Sequence, residues 1–328
     1  MNTDTQWLGT LDPGRREAFE RALNVAGAGT VLLQTMINKV VQQISLRELG
    51  ASSTLPRKVG SGNASYQNRR TPPGSGAEWV NDTDPAVEVT GTYAQTDFPY
   101  KTLLTRGKVT RFLQATGRSY GDILAGEIAA KTGDYANELE KALITGDIAS
   151  VPKQFDGLIT LTQLTSSQIV LQTTAPAGDA LTLEKLDETI DVVKGSSTRS
   201  DLVILASFKG RRLLNAALQA QQQFNDMTEI AAGFRVRTYD GIPIVTTTAM
   251  PDVLTFNGSK VSAYTGAATT AILVVNTRYC WIEELTPLTV MPLAKGDSQF
   301  DNFDIFWDGT LVHANTLGSA ILCGIDAS

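Results

Sequence analysis

The chain has 328 residues, 42% hydrophobic and 19% charged, with a formal charge of −6. That balance belongs to a water-soluble globular protein of about two domain-sized units, long enough to bury a core without a disulfide or metal staple. It excludes a spanning helix, because no run of about 18 apolar residues occurs; it also argues against a sequence-specific nucleic-acid binder, because no Lys/Arg block stands out.

The first seven residues, Met1 to Trp7, carry neither the basic nor the apolar stretch of a secretory signal. Asp12-Pro13 is a helix start with Asp as N-cap and Pro at the first turn, and a short helix from Gly14 to Val25 is predicted to end at Gly27-Ala28-Gly29. Val31 to Ile44 is apolar at helical spacing and is bounded by the turn-rich stretch Gly50 to Gly76. A segment of this kind buries little against itself, so the first 65 or so residues read as an arm that packs on other chains or along its own body.

From Ala77 to about Gln114 the pattern is that of strands. Tyr100 to Phe112 is polar and loosely alternating, and with Glu78-Trp79-Val80 it predicts a long two-stranded ribbon turning around Asp82-Thr83-Asp84-Pro85. An isolated hairpin is marginal in water, so a ribbon of this length implies a partner surface. Asp82, Asp84 and Glu88 make its tip acidic, suited to a basic patch on a neighbour that would set register.

Gly121 to Thr145 is the clearest helix: Asp122 caps it, and Leu124, Ile128, Tyr135, Leu139 and Leu143 fall near one face. Glu127 and Lys131 are spaced for an i, i+4 pair, and Gly126 and Gly133 predict close approach by another element. Farther on, an amphipathic helix is expected over Thr182 to Lys194, a buried strand over Asp201 to Ala206 and a helix over Phe208 to Gln223. Phe234 to Tyr239 reads as a strand turning at Asp240-Gly241 into Ile242 to Val245, and Ala271 to Val275 as another core strand. Strands then dominate: Leu288 to Met291, Phe303 to Trp307, a turn at Asp308-Gly309, Thr310 to Ala314, and Ala320 to Ile325. The whole reads as a mixed α+β protein without internal repeats.

Catalytic chemistry is sparse. The chain has one histidine, His313, in an alternating strand pattern that favours a structural role, so an enzyme here would depend on carboxylates, lysine or a cofactor. Cys280 and Cys323 lie in apolar runs as free buried thiols. Gly27-Ala28-Gly29-Thr30 lacks the Lys-Ser/Thr of a phosphate loop. Asp297, Asp301 and Asp304 miss the spacing of a calcium loop and read as a solvated loop. No cofactor or metal site is expected.

The order of these parts resembles the HK97-fold major capsid proteins of tailed bacteriophages. The resemblance runs from Ala26 onward through nearly the whole chain. It rests on Ala26 to Leu33 with Ser45-Leu46-Arg47-Glu48-Leu49, on Ala77-Glu78-Trp79-Val80 followed by Phe98 to Phe112, and on Asp122 to Gly146 leading to Phe155-Asp156-Gly157-Leu158. Leu202 to Leu205, Tyr239 to Ile244, Tyr279 to Glu283 and Asp308-Gly309-Thr310 complete it. It implies an N-terminal arm over residues 1–65, an extended E-loop over 66–112, a peripheral domain with a long spine helix over 113–178 and 285–328, and an axial domain over 179–284. It further implies hexamers and pentamers of an icosahedral shell that encloses double-stranded DNA without reading its sequence, which a mildly acidic lining permits. Implied partners are sister copies, a portal, and scaffold or decoration proteins; no membrane is involved. An arm that starts near Met1 implies a separate scaffold or none, and the absence of lysine from Asn81 to Gly91 implies a shell without isopeptide cross-links. Expected inter-subunit contacts are Trp79, Asp82, Asp84, Glu88, Phe98, Arg106 and Arg111. An encapsulin-like nanocompartment is the alternative within the same fold; a carboxylate-dependent enzyme and a tail or decoration protein are more remote ones.

Overall fold

The computed structural model describes residues 49–71, 79, 81–82, 91–117, 122–193, 201–220, 227–231, 234–262, 269–293 and 299–327. The helices expected between Gly14 and Ile44, the Gly27-Ala28-Gly29 stretch, Glu78, Val80, Asp84, Glu88 and Asp297 lie outside the described residues. Two compact units are present. The smaller holds Leu103–Glu138 and Thr286–Trp307; the larger holds residues 49–102, Leu139–Leu285 and residues 308–327.

In chain order the elements are α1 (Gly50–Thr54), β1 (Arg57–Val59), β2 (Ala64–Thr71), β3 (Thr92–Pro99), β4 (Lys101–Thr110), α2 (Arg111–Gly117), α3 (Ile123–Thr145) and α4 (Leu158–Gln163). Then come β5 (Ile169–Leu171), α5 (Leu183–Val192), β6 (Leu202–Ala206), α6 (Phe208–Ala220), β7 (Met227–Ala231), β8 (Phe234–Tyr239) and β9 (Ile242–Thr246). Strands β10 (Thr255–Phe256), β11 (Val261–Ser262), β12 (Thr269–Asn276), β13 (Cys280–Pro292), β14 (Phe300–His313) and β15 (Ser319–Asp326) finish the chain.

The larger unit is built on a seven-stranded mixed sheet in the order β5-β15-β12-β6-β9-β8-β7. All of β6 and β12 is buried, so these strands are apolar on both faces instead of alternating. Ile204, Ala206, Ile272 and Val274, at alternate positions, form one face of the core, and Leu183, Leu186, Ile190, Leu214 and Leu218 from α5 and α6 pack with them. The β8–β9 hairpin turns at Asp240 (φ 51°) and Gly241 (φ 78°), two successive left-handed residues of the kind a two-residue hairpin needs.

The second sheet runs β1-β13-β14-β4. The aspartate-glycine pair expected to turn at 308–309 instead lies inside β14, one continuous strand of 14 residues. The Thr102 hydroxyl donates to Asp308 Oδ1 at 2.5 Å, and the following residues are buried, so tertiary contacts hold the pair extended. Asp301 and Asp304 are on this same strand and not in a solvated loop.

The ribbon also differs from expectation. β2 pairs antiparallel with β3, in register from Ala64↔Pro99 to Thr71↔Thr92. Residues 101–110 form β4 in the four-stranded sheet and not an arm of the ribbon. Residues 64–71 fall in the stretch that reads as turn-rich, while the sequence predicts the ribbon from Glu78-Trp79-Val80 and Tyr100 to Phe112; a polar, loosely alternating pattern names a strand but not its partner.

Helix α3 begins where expected, and Asp122 Oδ1 accepts the Ala125 N–H at 3.1 Å. Lys131 Nζ reaches Asp134 at 3.8 Å, an i, i+3 partner in place of the expected Glu127. The position a Cβ would take on Gly126 has no atom within 4 Å, so no element approaches it closely among the described residues.

Candidate assembly surfaces

The ribbon is fixed at its root by charged and polar contacts within the larger unit. The Glu283 carboxylate collects three donors: the Ser65 hydroxyl at 2.8 Å, the Tyr100 hydroxyl at 2.5 Å and the Trp281 indole N–H at 3.2 Å. Burial first, then the bond to Glu283, pushes the Tyr100 phenol up to about 12. Arg69 on β2 donates through Nε to the Ala314 carbonyl at 2.8 Å and through Nη2 to the His313 carbonyl at 2.5 Å. Beside them Arg57 pairs with Glu284, and Lys58 Nζ sits 3.3 Å from the centre of the Trp281 ring.

Tyr66 and Tyr93 are exposed, as is Val59 on β1.

The seven residues expected at inter-subunit contacts fall into different settings. Trp79 is fully exposed and Asp82 is exposed. Phe98 is only 7% exposed and is already packed within its own chain. It lines a small cavity with Arg69, Asp156, Leu161 and His313. Arg106 is committed to Asp304 in the smaller unit, with Nε–Oδ1 at 2.6 Å and Nη2–Oδ2 at 2.8 Å. That pairing holds the Asp304 carboxyl below its ordinary value, against the opposing effect of burial. Arg111 is exposed at the start of α2. Asp84 and Glu88 lie outside the described residues.

Two buried polar groups complete the picture. His313 is 2% exposed, and its Nε2 lies 2.9 Å from the Ser319 hydroxyl, which itself lies 2.8 Å from the Thr162 hydroxyl. Burial, then the nearby Arg69 charge, pushes the imidazole down to about 4, so it is neutral at pH 7. Glu140, which the sequence reading did not single out, is 1% exposed on α3. It accepts the Ala51 N–H at 2.7 Å, the Ser52 N–H at 2.8 Å and the Thr247 hydroxyl at 2.7 Å. It therefore clamps the first turn of α1, the first described element of the chain. The available signal was its place one turn before Leu143 and Ile144, a carboxylate on an apolar face.

Neither group sits in a catalytic arrangement. Burial also pushes both thiols, Cys280 and Cys323, up and out of nucleophilic range. Among the described residues no cluster of His, Cys, Asp and Glu is placed to hold a metal ion, and no helix is long and apolar enough to cross a membrane.

Solved structures of similar fold cover nearly the entire chain. The capsid of the native GTA particle shares 19% identity, covers 92% of this chain and 98% of that one, and has a TM-score of 0.65. The holo-SrpI encapsulin complex of Synechococcus elongatus shares 13% identity over 90% of this chain and 96% of that one, also at 0.65. The capsid of Myoviridae phage XM1 shares 14% identity over 87% and 95%, at 0.58. No curated protein matches the chain. An α+β chain with this sheet order and these neighbours has the HK97-like capsid fold, a class of shell subunits. Its membership is narrower than the class: the chain belongs to the SU10 major capsid protein family, whose model matches residues 68–326. It is a structural subunit of a multimeric phage capsid and not an enzyme.

Proposed function

We propose that copies of this chain associate as hexamers and pentamers of an icosahedral shell, built in the host cytoplasm, that encloses double-stranded DNA. The acidic balance of the chain supports an interior that contains DNA without adhering to it or reading its sequence. A portal, and a scaffold or decoration protein, would be the other partners. In this reading the arm expected over residues 1–65 is confined to the residues before α1, since α1 and β1 belong to the body, and 66–112 include the E-loop. Residues 113–178 and 285–328 form the peripheral domain around α3, and 179–284 the axial domain. The observation that carries it is the β2–β3 ribbon, anchored at its root and exposing Tyr66, Tyr93 and the Trp79 beyond them. Permanent interfaces bury on the order of 2,000 Å² or more, and exposed aromatic side chains, each able to bury about 150–250 Å², are the kind of anchors such an interface uses.

The test is assembly of the purified protein, followed by negative-stain imaging and sedimentation. Deleting residues 71–109 is unsuitable, because it removes most of β4 from the four-stranded sheet. Replacing residues 71–92 with a two-residue turn keeps Arg69 and the rest of the ribbon root. It is expected to give folded, soluble subunits that form no shells; normal shells from this variant would overturn the ribbon's role. The encapsulin match supports a second reading, a shell around protein cargo. Nucleic-acid content of shells purified from the natural source separates the two.

A further inference from the structure

The larger unit has a cavity of about 720 Å³ between the C-terminal end of α3, α4 and the β10–β11 hairpin. Its chemistry is divided. Ile159, Leu254 and Val261 give an apolar floor, and Lys141 and Lys260 stand exposed at its edge. Among the described residues neither ammonium has a carboxylate within ion-pair distance. The one acidic residue of the lining, Asp147, is already engaged: Oδ1 accepts the Ala149 N–H at 3.0 Å and Oδ2 the Ser150 hydroxyl at 2.6 Å. Gln163, also in the wall, is 7% exposed, yet its Nε2 donor has no partner. A buried amide donor left unpaired costs about 1–3 kcal/mol, so an acceptor seated against this wall is favoured.

We infer that this cavity is the socket for the Trp79–Asp82 segment of a second copy. This rests on the assembly reading above and adds to it the receiving surface. The segment has the complementary chemistry: a fully exposed indole for the apolar floor and an exposed carboxylate for the lysine pair, with Asp84 and Glu88 following in sequence. Aromatic anchors flanked by charge are the usual centre of a protein interface. A volume near 720 Å³ admits an indole with the backbone around it.

The test is photocrosslinking in assembled shells with p-benzoylphenylalanine in place of Trp79, mapped by mass spectrometry. Crosslinks are expected within residues 141–164 and 251–262 of a different copy. Lys141→Glu with Lys260→Glu should lower their yield about tenfold, and Asp82→Lys in the same chain should restore it. Shells that form normally but crosslink elsewhere, or to a different protein, overturn the socket and leave the assembly reading standing. Wild-type protein that forms no shell under any condition overturns both.

Discussion

Replacing Glu140 with alanine should be among the most destabilising single changes in the larger unit. The carboxylate takes two consecutive backbone N–H groups, of Ala51 and Ser52, and the Thr247 hydroxyl, at 2.7, 2.8 and 2.7 Å. Ala51 and Thr247 are both fully buried, so water does not replace the lost acceptor there. An unsatisfied buried donor costs about 1–3 kcal/mol, and the hydroxyl escapes part of this by rotating; the sum for Glu140→Ala is about 3–5 kcal/mol. Glu140→Gln keeps the shape and one good acceptor oxygen but turns an NH₂ toward donors, for about 1–3 kcal/mol. Against a usual total of about 5–15 kcal/mol the alanine variant approaches the folding threshold. Urea unfolding followed by tryptophan fluorescence measures these values. Hydrogen exchange should show α1 losing protection in the Gln variant before the central sheet does. An alanine variant within about 0.5 kcal/mol of wild type would refute the clamp.

His313→Gln tests the buried imidazole. Its value in the fold is below that of the unfolded chain, so the stability it contributes is complete above about pH 6.5 and is lost as pH falls toward 4. The loss is about 3 kcal/mol, and acid-unfolding curves of the variant should lack this slope. Gly107→Ala would place a Cβ 2.2 Å from the Phe303 ring, forcing that buried side chain to move; thermal unfolding should show a loss of about 1–3 kcal/mol. Arg69→Ala removes both donors to the carbonyls of His313 and Ala314. Because the side chain is only half-buried, a modest loss of about 1–2 kcal/mol is expected, with faster amide exchange confined to β2 and β3.

Elements whose stability is mainly local, or whose burial is one-sided and periodic, were legible in the residues. Helix α3 with its Asp122 cap, helix α5 with Leu183, Leu186 and Ile190, the apolar runs Leu202–Ala206 in β6 and Ala271–Val275 in β12, and the Asp240-Gly241 turn each follow from a pattern a few residues long. Their order also carried the resemblance to phage shell subunits. The tertiary structure alone decided that β2, and not β4, partners β3 in the ribbon, because polar strands carry no periodic apolar face to name a partner. It decided that Asp308-Gly309 stays extended, because a hydroxyl from Thr102 and burial outweigh a two-residue turn preference. It also buried Phe98 in its own chain and gave Glu140 its three donors from segments about 90 and 107 residues away. Short-range patterns report what a segment does with its own backbone. Which distant groups meet is set by how whole elements pack, and no window of sequence contains that.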